Sequence, residues 1–313
     1  MIVDLPNTTV SAISKTLVRL RDEGGAVALG RVLTLVISTD PSVEEVTIDA
    51  ANAASREHPM RVIVLSRSAD ADAAAPRLDA QIRIGGDAGA SEVIVVRGKG
   101  DAGADEESIV TGLLLPDAPV VVWWSHDAPD VPAESPLGRI AQRRITDAAT
   151  RADVDEACAA LSRSHTPGDT DFAWTRVTLW RSQLAAVLDQ PPYEPVESVD
   201  VVGSLGSPSL RLLGAWLGQQ LEAPVTLSEP VDADQVEGIH AVRLHRAGGT
   251  IELARISGQT IRLTQPGQPQ HEITIPRRTI RECLAEELRR LDPDEVYESV
   301  VTRALPVAVS VEG

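Results

Sequence analysis

The sequence predicts an α/β protein: two α/β domains with mixed sheets, joined by a helical middle segment and followed by C-terminal helices. The first observation is composition. Aromatic residues make up only 3% of the chain, so Val, Leu, Ile and Ala must build the core. The second is an alternation of short β-branched runs with Ala-rich amphipathic segments, which is typical of strands covered by helices. With 313 residues, the chain is long enough for about two such domains.

Residues 1–150 are predicted to form the N-terminal α/β domain. Apolar residues at helical spacing predict a helix over residues 9–23, stopped by Gly24 and Gly25. A crossover helix over 43–57 and a short helix over 108–115 follow from the same kind of pattern. Runs rich in β-branched residues predict strands over 32–37, 61–65, 78–84, 92–96 and 119–124. The strands over 78–84 and 92–96 are predicted to form an antiparallel pair joined around residues 85–89.

Residues 151–192 are predicted to form a helical connector that contains a tryptophan-bearing helix. Helical spacing predicts a helix over 137–145, before the connector, and helices over 154–163 and 170–188 within it, and Pro191 and Pro192 end the last of them. Residues 193–313 are predicted to form the C-terminal α/β domain, with a helix over 208–221, an antiparallel meander and terminal helices. Its predicted strands cover 196–202, 225–228, 240–245, 250–256, 260–264 and 272–275.

The charge of the chain limits its partners. Its 46 Asp and Glu outnumber 29 Lys and Arg, giving a formal net charge of -17, which repels phosphate backbones and anionic lipid headgroups. We therefore expect neither nucleic acid nor a membrane surface as a partner. The N-terminal residues lack the pattern of a signal peptide, and the longest apolar run is too short to span a bilayer, which together predict a cytoplasmic protein.

The common catalytic and metal-binding motifs are missing from the sequence. It contains no HExxH and no GxSxG, and the six histidines are scattered. Cys158 and Cys283 have no CxxC spacing, so they are expected to be small buried residues of amphipathic helices. We therefore predict no catalytic residue, no metal and no cofactor.

The segment over residues 168–181 carries most of the candidate binding residues. Trp180 belongs to the apolar stripe of the predicted helix, whereas a carboxylate, an indole, a hydroxyl and a guanidinium lie along the edge beside that stripe at steps of three and four residues. These edge residues are Asp171, Trp174, Thr178 and Arg181. Such an edge suits a polar ligand or a partner protein. The alternative is a structural helix in which Arg181 packs against Trp174 and Asp171 favours the helix start.

His126 is a further candidate because it follows a buried strand. It would lie at the carboxyl end of the strand over 119–124, where open α/β sheets usually hold their ligands. The alternative is a solvent-facing loop histidine. Trp123 and Trp124 are adjacent on this strand and must point to opposite faces, so one is expected in the core and the other at a crevice or an interface.

Two other patterns give weaker signals. The sequence VDVVGSLGSP over 199–208 resembles a strand, glycine loop and helix start that hold phosphate, but it lacks both GxGxxG spacing and the P-loop lysine. Ser207 as a helix cap before Pro208 explains the same residues without a ligand. Arg277 and Arg278 begin an arginine- and glutamate-rich stretch, which is usually a solvated helix face.

Several strings together resemble one family. They are MIVDLPNTT, GGAVALGRVLTLVI, ANAASREHP, LLLPDAPVVVWW, GDTDFAWTRVTLWR with its trailing DQPP, and RECLAEELRRLDPDE. They extend from residue 1 to about residue 300. In content and order they resemble sequences of the glucose-6-phosphate dehydrogenase assembly family, OpcA, of actinobacteria and cyanobacteria. The resemblance implies a non-catalytic accessory protein that binds glucose-6-phosphate dehydrogenase, promotes its active form and supports NADPH supply through the oxidative pentose phosphate pathway.

The resemblance brings no established site residues, so two hypotheses rest on the residues themselves. In the first, Trp174, Arg176 and Arg181, with one of Trp123 or Trp124, contact the dehydrogenase, since such residue types dominate interface energetics. In the second, the protein is a sensor or enzyme for a sugar phosphate bound between the domains. Arg176 or Arg181 would then hold the phosphate and Asp171 the hydroxyls.

Overall fold

The computed structural model describes residues 1–23, 30–67, 76–85, 92–230, 238–306 and 310–311. The chain forms two compact units. The first unit contains Met1–Asp147, Gly168–Thr170 and Ile280–Pro293, and the second contains Ala148–Pro167, Asp171–Thr279 and Asp294–Gly313. The predicted domain division at residues 150 and 192 stays a prediction. The glycine stop at 24–25 and most of the turn predicted at 85–89 lie outside the described residues.

The described elements follow a mixed α/β order. The strands are β1 (Ile2–Leu5), β2 (Leu33–Thr39), β3 (Met60–Arg67), β4 (Arg77–Ile84), β5 (Glu92–Lys99), β6 (Val120–Trp124), β7 (Arg143–Thr146), β8 (Asp169–Asp171), β9 (Ser198–Gly203), β10 (Val225–Ser228), β11 (Ile239–His245), β12 (Ile251–Arg255), β13 (Thr260–Thr264), β14 (His271–Thr274) and β15 (Ser310–Val311). The helices are α1 (Val10–Glu23), α2 (Glu44–Ala54), α3 (Glu106–Thr111), α4 (Pro136–Arg139), α5 (Val154–Ser164), α6 (Phe172–Arg176), α7 (Thr178–Leu188), α8 (Pro208–Leu221), α9 (Ile280–Glu287) and α10 (Glu295–Ser299).

The first sheet has eight described strands in the order β1-β4-β5-β3-β2-β6-β7-β8. Its centre is parallel, since β2 pairs in parallel with β3 and β6, β3 with β5, and β6 with β7. β4 is antiparallel to both β5 and β1. The central strands β2, β3 and β6 are buried along almost their whole length, as expected for strands covered on both faces. This architecture confirms the predicted α/β fold class.

The structure corrects the helix predicted over residues 137–145. Only α4 is helical, with Ser135 Oγ accepting a hydrogen bond from the Gly138 amide, and the chain then continues as β7 beside β6. The physical reason is tertiary. Arg143 and Arg144 in β7 are buried because each forms an ion pair within the first unit, with Glu287 and Asp169 respectively. Strand pairing here overrides the local apolar spacing.

Glu92, at the start of β5, is fully buried and is surrounded by three arginines. Arg61 lies beside it on the neighbouring strand, and its Nε donates to Glu92 Oε1 at 2.8 Å. Arg21 Nη2 lies 2.8 Å from Oε1, and Arg31 Nη2 lies 3.0 Å from Oε2. A carboxylate buried this completely is tolerated because hydrogen-bonded cations replace its water. The group joins α1 and the segment before β2 to the centre of the sheet.

Glu106, in the first turn of α3, is only 9% exposed and lies beside fewer compensating groups. Its Oε1 is 3.3 Å from Arg67 Nε. Burial raises the pKa of the Glu106 carboxyl, and the attraction of Arg67 offsets only part of this effect. The folded protein therefore holds this proton more tightly than the unfolded chain does.

A pH dependence of stability follows from Glu106. The stabilising contribution of its bound proton is complete below the unfolded pKa and is lost as the pH rises through the raised folded pKa. We expect Glu106→Gln, which keeps the shape and removes the charge, to raise the melting temperature relative to the parent more at about pH 8 than at about pH 5.5. Thermal unfolding of both proteins at both pH values measures this, and an equal difference at the two values would contradict it.

The second sheet lies in the second unit and has seven described strands in the order β14-β13-β12-β11-β9-β10-β15. From β9 through β11 to β14 every neighbouring pair is antiparallel, which confirms the predicted meander. β10 pairs in parallel with β9 and β15. The predicted bounds of α8, β10 and β13 agree with the structure residue for residue. A buried apolar cluster joins this sheet to α7, α8 and the chain after α10.

Both cysteines are buried, as predicted: Cys158 in α5 and Cys283 in α9. Burial raises the pKa of the Cys158 thiol to about 12, which keeps it protonated and unreactive at neutral pH. In the described parts of the chain, no helix is long and apolar enough to cross a membrane.

Candidate functional site

The predicted helix over 170–188 is divided in the structure. Residues Asp169–Asp171 form β8, a short helix α6 follows, and α7 begins after a break at Val177. Asp171 caps α6: its Oδ1 accepts from the Ala173 amide at 2.8 Å and its Oδ2 from the Ala148 amide at 2.9 Å. Asp171 is fully buried, so both of its carboxylate oxygens serve the backbone.

Trp174 lies in the core of the second unit, 1% exposed. Its Nε1 donates to Asp294 Oδ2 at 2.9 Å, and its ring is 5.7 Å from the ring of Tyr297. The Arg181 guanidinium stacks on the indole with Cζ 3.6 Å from the ring centre, and Arg181 Nη2 is 3.3 Å from Thr178 Oγ1. The structural alternative for this edge, with Arg181 packed on Trp174, therefore matches the observed contacts.

The candidates of the first unit lie around the end of β6. Trp123 and Trp124 are 1% and 4% exposed, so both faces of this strand are covered. His126 follows with about half of its side chain exposed, and its Nε2 lies 3.4 Å from Asp127 Oδ2. His126 is thus a loop residue at the carboxyl end of a parallel strand, as its position in the sequence predicts. Whether any of these residues binds a ligand or a partner stays a prediction.

Arg176 lines a cavity of about 610 Å³ in the second unit. Three other arginines line the same cavity: Arg255 at the end of β12, and Arg277 and Arg278 before α9. We call it the arginine cavity. None of its described lining residues is Asp or Glu, although acidic residues exceed basic ones in the chain as a whole. Trp180 forms an apolar part of the wall, with Arg255 Cζ 5.7 Å from its ring centre.

The loop between β9 and α8 forms another wall of the arginine cavity. Ser204, Gly206 and Ser207 line it, together with the first residues of α8. Gly203 ends the strand where another chain segment passes closely, because a Cβ there would lie 2.3 Å from Gly238 O. Ser207 occupies the cap position of α8, but its side chain makes no capping hydrogen bond. The glycine loop of the sequence therefore lines the same cavity as the four arginines.

Arg255, Arg277 and Arg278 are the residues that sequence reasoning missed at this site. The spacing of Arg277 and Arg278 indicates a solvated helix face, but both precede α9 and line the cavity. Arg255 carries no motif, since it is one basic residue among the alternating residues of a meander. The sequence feature that could have indicated this site is the glycine loop at the carboxyl end of β9, a place where α/β sheets usually hold ligands.

The fold and this cavity define a mixed α/β protein whose second unit carries a basic cavity at one end of its sheet. Two family models match the chain. The glucose-6-phosphate dehydrogenase subunit N-terminal domain matches residues 51–163, and the C-terminal domain of that subunit matches residues 167–301. The chain belongs to the OpcA family of glucose-6-phosphate dehydrogenase assembly proteins.

Solved structures show only a distant likeness. A glucose-6-phosphate 1-dehydrogenase from Mycobacterium avium is 12% identical with a TM-score of 0.42, over 90% of this chain and 93% of that one. A putative oxidoreductase from Magnetospirillum magnetotacticum is 13% identical with a TM-score of 0.43, over 88% and 99%. These TM-scores are too low to carry an argument about this chain. A search of curated proteins found no match.

Proposed function

We propose that this chain is a non-catalytic, cytoplasmic subunit of actinobacterial type that binds glucose-6-phosphate dehydrogenase and promotes its active form, as an assembly factor or an allosteric activator. Such a role would support NADPH supply through the oxidative pentose phosphate pathway. The observation that carries the proposal is the match of both halves of the chain to domains of a dehydrogenase subunit. The absence of a nucleophile, metal or cofactor motif from the sequence supports a role without catalysis.

The candidate residues divide by exposure. Arg176, Thr178, Arg181 and His126 are at least partly exposed and are proposed as direct contacts. Trp123, Trp124, Trp174 and Asp171 are buried and would instead hold those surfaces in place. Arginine is one of the residue types enriched among the side chains that dominate the binding energy of interfaces.

The test is to mix the purified chain with its cognate dehydrogenase. We expect the two to elute together in size-exclusion chromatography, with a higher dehydrogenase turnover than the enzyme alone shows. The chain alone should show no turnover of glucose 6-phosphate. Separate elution together with unchanged dehydrogenase activity would contradict the partner role, and turnover that follows this chain through purification would contradict the non-catalytic role.

A variant pair tests the contact surface. Arg181→Ala should weaken activation by an interface amount of about 2 kcal/mol. Arg243→Ala is the control, because Arg243 pairs with Glu252 on neighbouring strands of the meander, outside the candidate contacts. Thermal unfolding checks that both variants are folded before their activation is compared. Activation by Arg181→Ala equal to that by Arg243→Ala would remove Arg181 from the contact surface.

A further inference from the structure

We propose that the arginine cavity binds the phosphate group of a small phosphorylated metabolite. The proposal goes beyond the proposed function, since it concerns a ligand of this chain alone and needs no dehydrogenase. The cavity lies entirely within the second unit. Its volume of about 610 Å³ is in the range of small-molecule sites.

The positive charge of the residues that line the cavity favours an anionic ligand. Four arginines line one cavity whose described lining residues include no carboxylate, in a chain with a net charge of -17. Guanidinium groups match phosphate oxygens in bidentate geometry, which is why arginine clusters mark phosphate sites. Inorganic cations and positively charged substrates are disfavoured by the same field.

Arg255 is held in place for such a role. Its Nη1 donates to Gly258 O at 2.8 Å and to Ile275 O at 3.0 Å, so backbone carbonyls fix the plane of its guanidinium. A third backbone carbonyl accepts from this side chain, since Arg255 Nε lies 3.5 Å from Ile239 O, and among the described residues no carboxylate forms an ion pair with Arg255. Burial and the nearby charge of Arg277 both lower the pKa of Arg255, which shows that the guanidinium is partly desolvated and faces a like charge. The negative charge of a bound anion would favour the protonated guanidinium and so oppose both effects.

The remaining walls fit a ligand with a phosphate at one end and a small, partly apolar body. The start of α8, a helix of 14 residues, lies at the cavity together with the 204–207 loop, and its positive dipole end adds to the field of the arginines. Trp180 is 3% exposed and so contributes only a small apolar part of the wall, against which the body of a small ligand can pack. Both a sugar phosphate and a nucleoside monophosphate have this chemistry.

Calorimetry of the isolated full chain tests the proposal and separates the two sources. The probes are glucose 6-phosphate and AMP, with glucose and adenosine as matched compounds without phosphate. We expect at least one of the two phosphates to bind with a Kd below about 1 mM, a usual range for metabolites. The compounds without phosphate should give no measurable heat, and the tighter phosphate identifies the source. Failure of both phosphates to bind would overturn the proposal, whatever the chain does with a dehydrogenase.

A variant and a matched control test whether phosphate binds in the arginine cavity. Arg277→Gln removes one cavity charge and should weaken phosphate binding about 10- to 100-fold, the range expected for a hydrogen bond to a charged group. Arg262→Gln is the control: Arg262 is an arginine of β13 that pairs with Glu272 on the neighbouring strand β14, and it is not among the residues that line the cavity. Binding that Arg277→Gln leaves unchanged, or that both variants weaken equally, would overturn the proposed location.

Gly206→Asp separates a loss of binding from a loss of folding. A Cβ at Gly206 would have only Ser204 Oγ within contact range, at 3.8 Å, so the side chain has room. A carboxylate just before α8 favours the helix start, and the melting temperature should be kept or raised. The same charge at the cavity wall should weaken phosphate binding at least tenfold. Full binding by a folded Gly206→Asp protein would overturn the proposal.

Discussion

Trp174→Ala is expected to destabilise the protein by about 3–5 kcal/mol, the cost of removing a large aromatic side chain from a core. Sequence periodicity predicts a milder effect, because it places Trp174 beside the buried stripe. The structure corrects this expectation: the indole is 1% exposed, donates to Asp294 and packs against Arg181. Chemical denaturation, read by a probe other than tryptophan fluorescence, measures the free energy of unfolding.

Trp216→Ala is the matched control for this prediction. Trp216 lies in α8 and packs against the same apolar cluster, but it is only partly buried. Its truncation removes the same atoms from a site that still has water on one side, so the cost should be clearly smaller. Equal destabilisation by the two substitutions would show that Trp174 is no more important to the core than a partly exposed tryptophan.

Glu92→Ala is the second change with a large expected effect. It leaves Arg21, Arg31 and Arg61 without their shared carboxylate, and Arg61 is buried. Removing one partner of a buried ion pair costs about 3–5 kcal/mol because the remaining charge stays desolvated. Urea unfolding of the parent and the variant gives the difference.

An exposed ion pair of the first unit provides the comparison. Glu107→Ala breaks the pair of Glu107 with Arg139, whose side chains are 40% and 55% exposed. Water solvates both partners, so the cost should be about 0–1 kcal/mol. If Glu92→Ala costs no more than Glu107→Ala, the buried cluster does not contribute to stability in the way its geometry indicates.

Local patterns carried most of the fold prediction. β10 and β13 are predicted residue for residue, since period-two alternation and flanking turns determine a strand of a meander locally. β7 and β8 could not be found this way. They contain Arg143, Arg144, Asp169 and Asp171, polar residues that a strand can bury only with distant partners. For Arg143 the partner is Glu287, 144 residues away.

The arginine cavity could not be predicted from the sequence either, because its residues are distant from one another along the chain. Arg176, Arg255 and Arg277 come from separate elements of the second unit, and each on its own is an ordinary surface residue. Trp174 shows the converse. Its position on the edge of a helix suggests exposure, but Asp294 and Tyr297, more than 100 residues further along the chain, cover it. Periodicity shows which face of a helix is apolar, but it does not show which distant segment covers the neighbouring edge.

The return of residues 280–293 to the first unit has a consequence for synthesis. α9 packs with α2, and Arg281 of α9 pairs with Asp49 of α2. Just beyond the ends of these helices Arg289 pairs with Glu57, and Glu287 of α9 pairs with Arg143 of β7. The first unit can therefore be completed only after residues 280–293 have left the ribosome. A nascent chain stopped near residue 150 lacks the acidic partner of Arg143 and the helix that covers α2. We therefore expect the N-terminal half to reach its final fold only after most of the C-terminal half has also been synthesised.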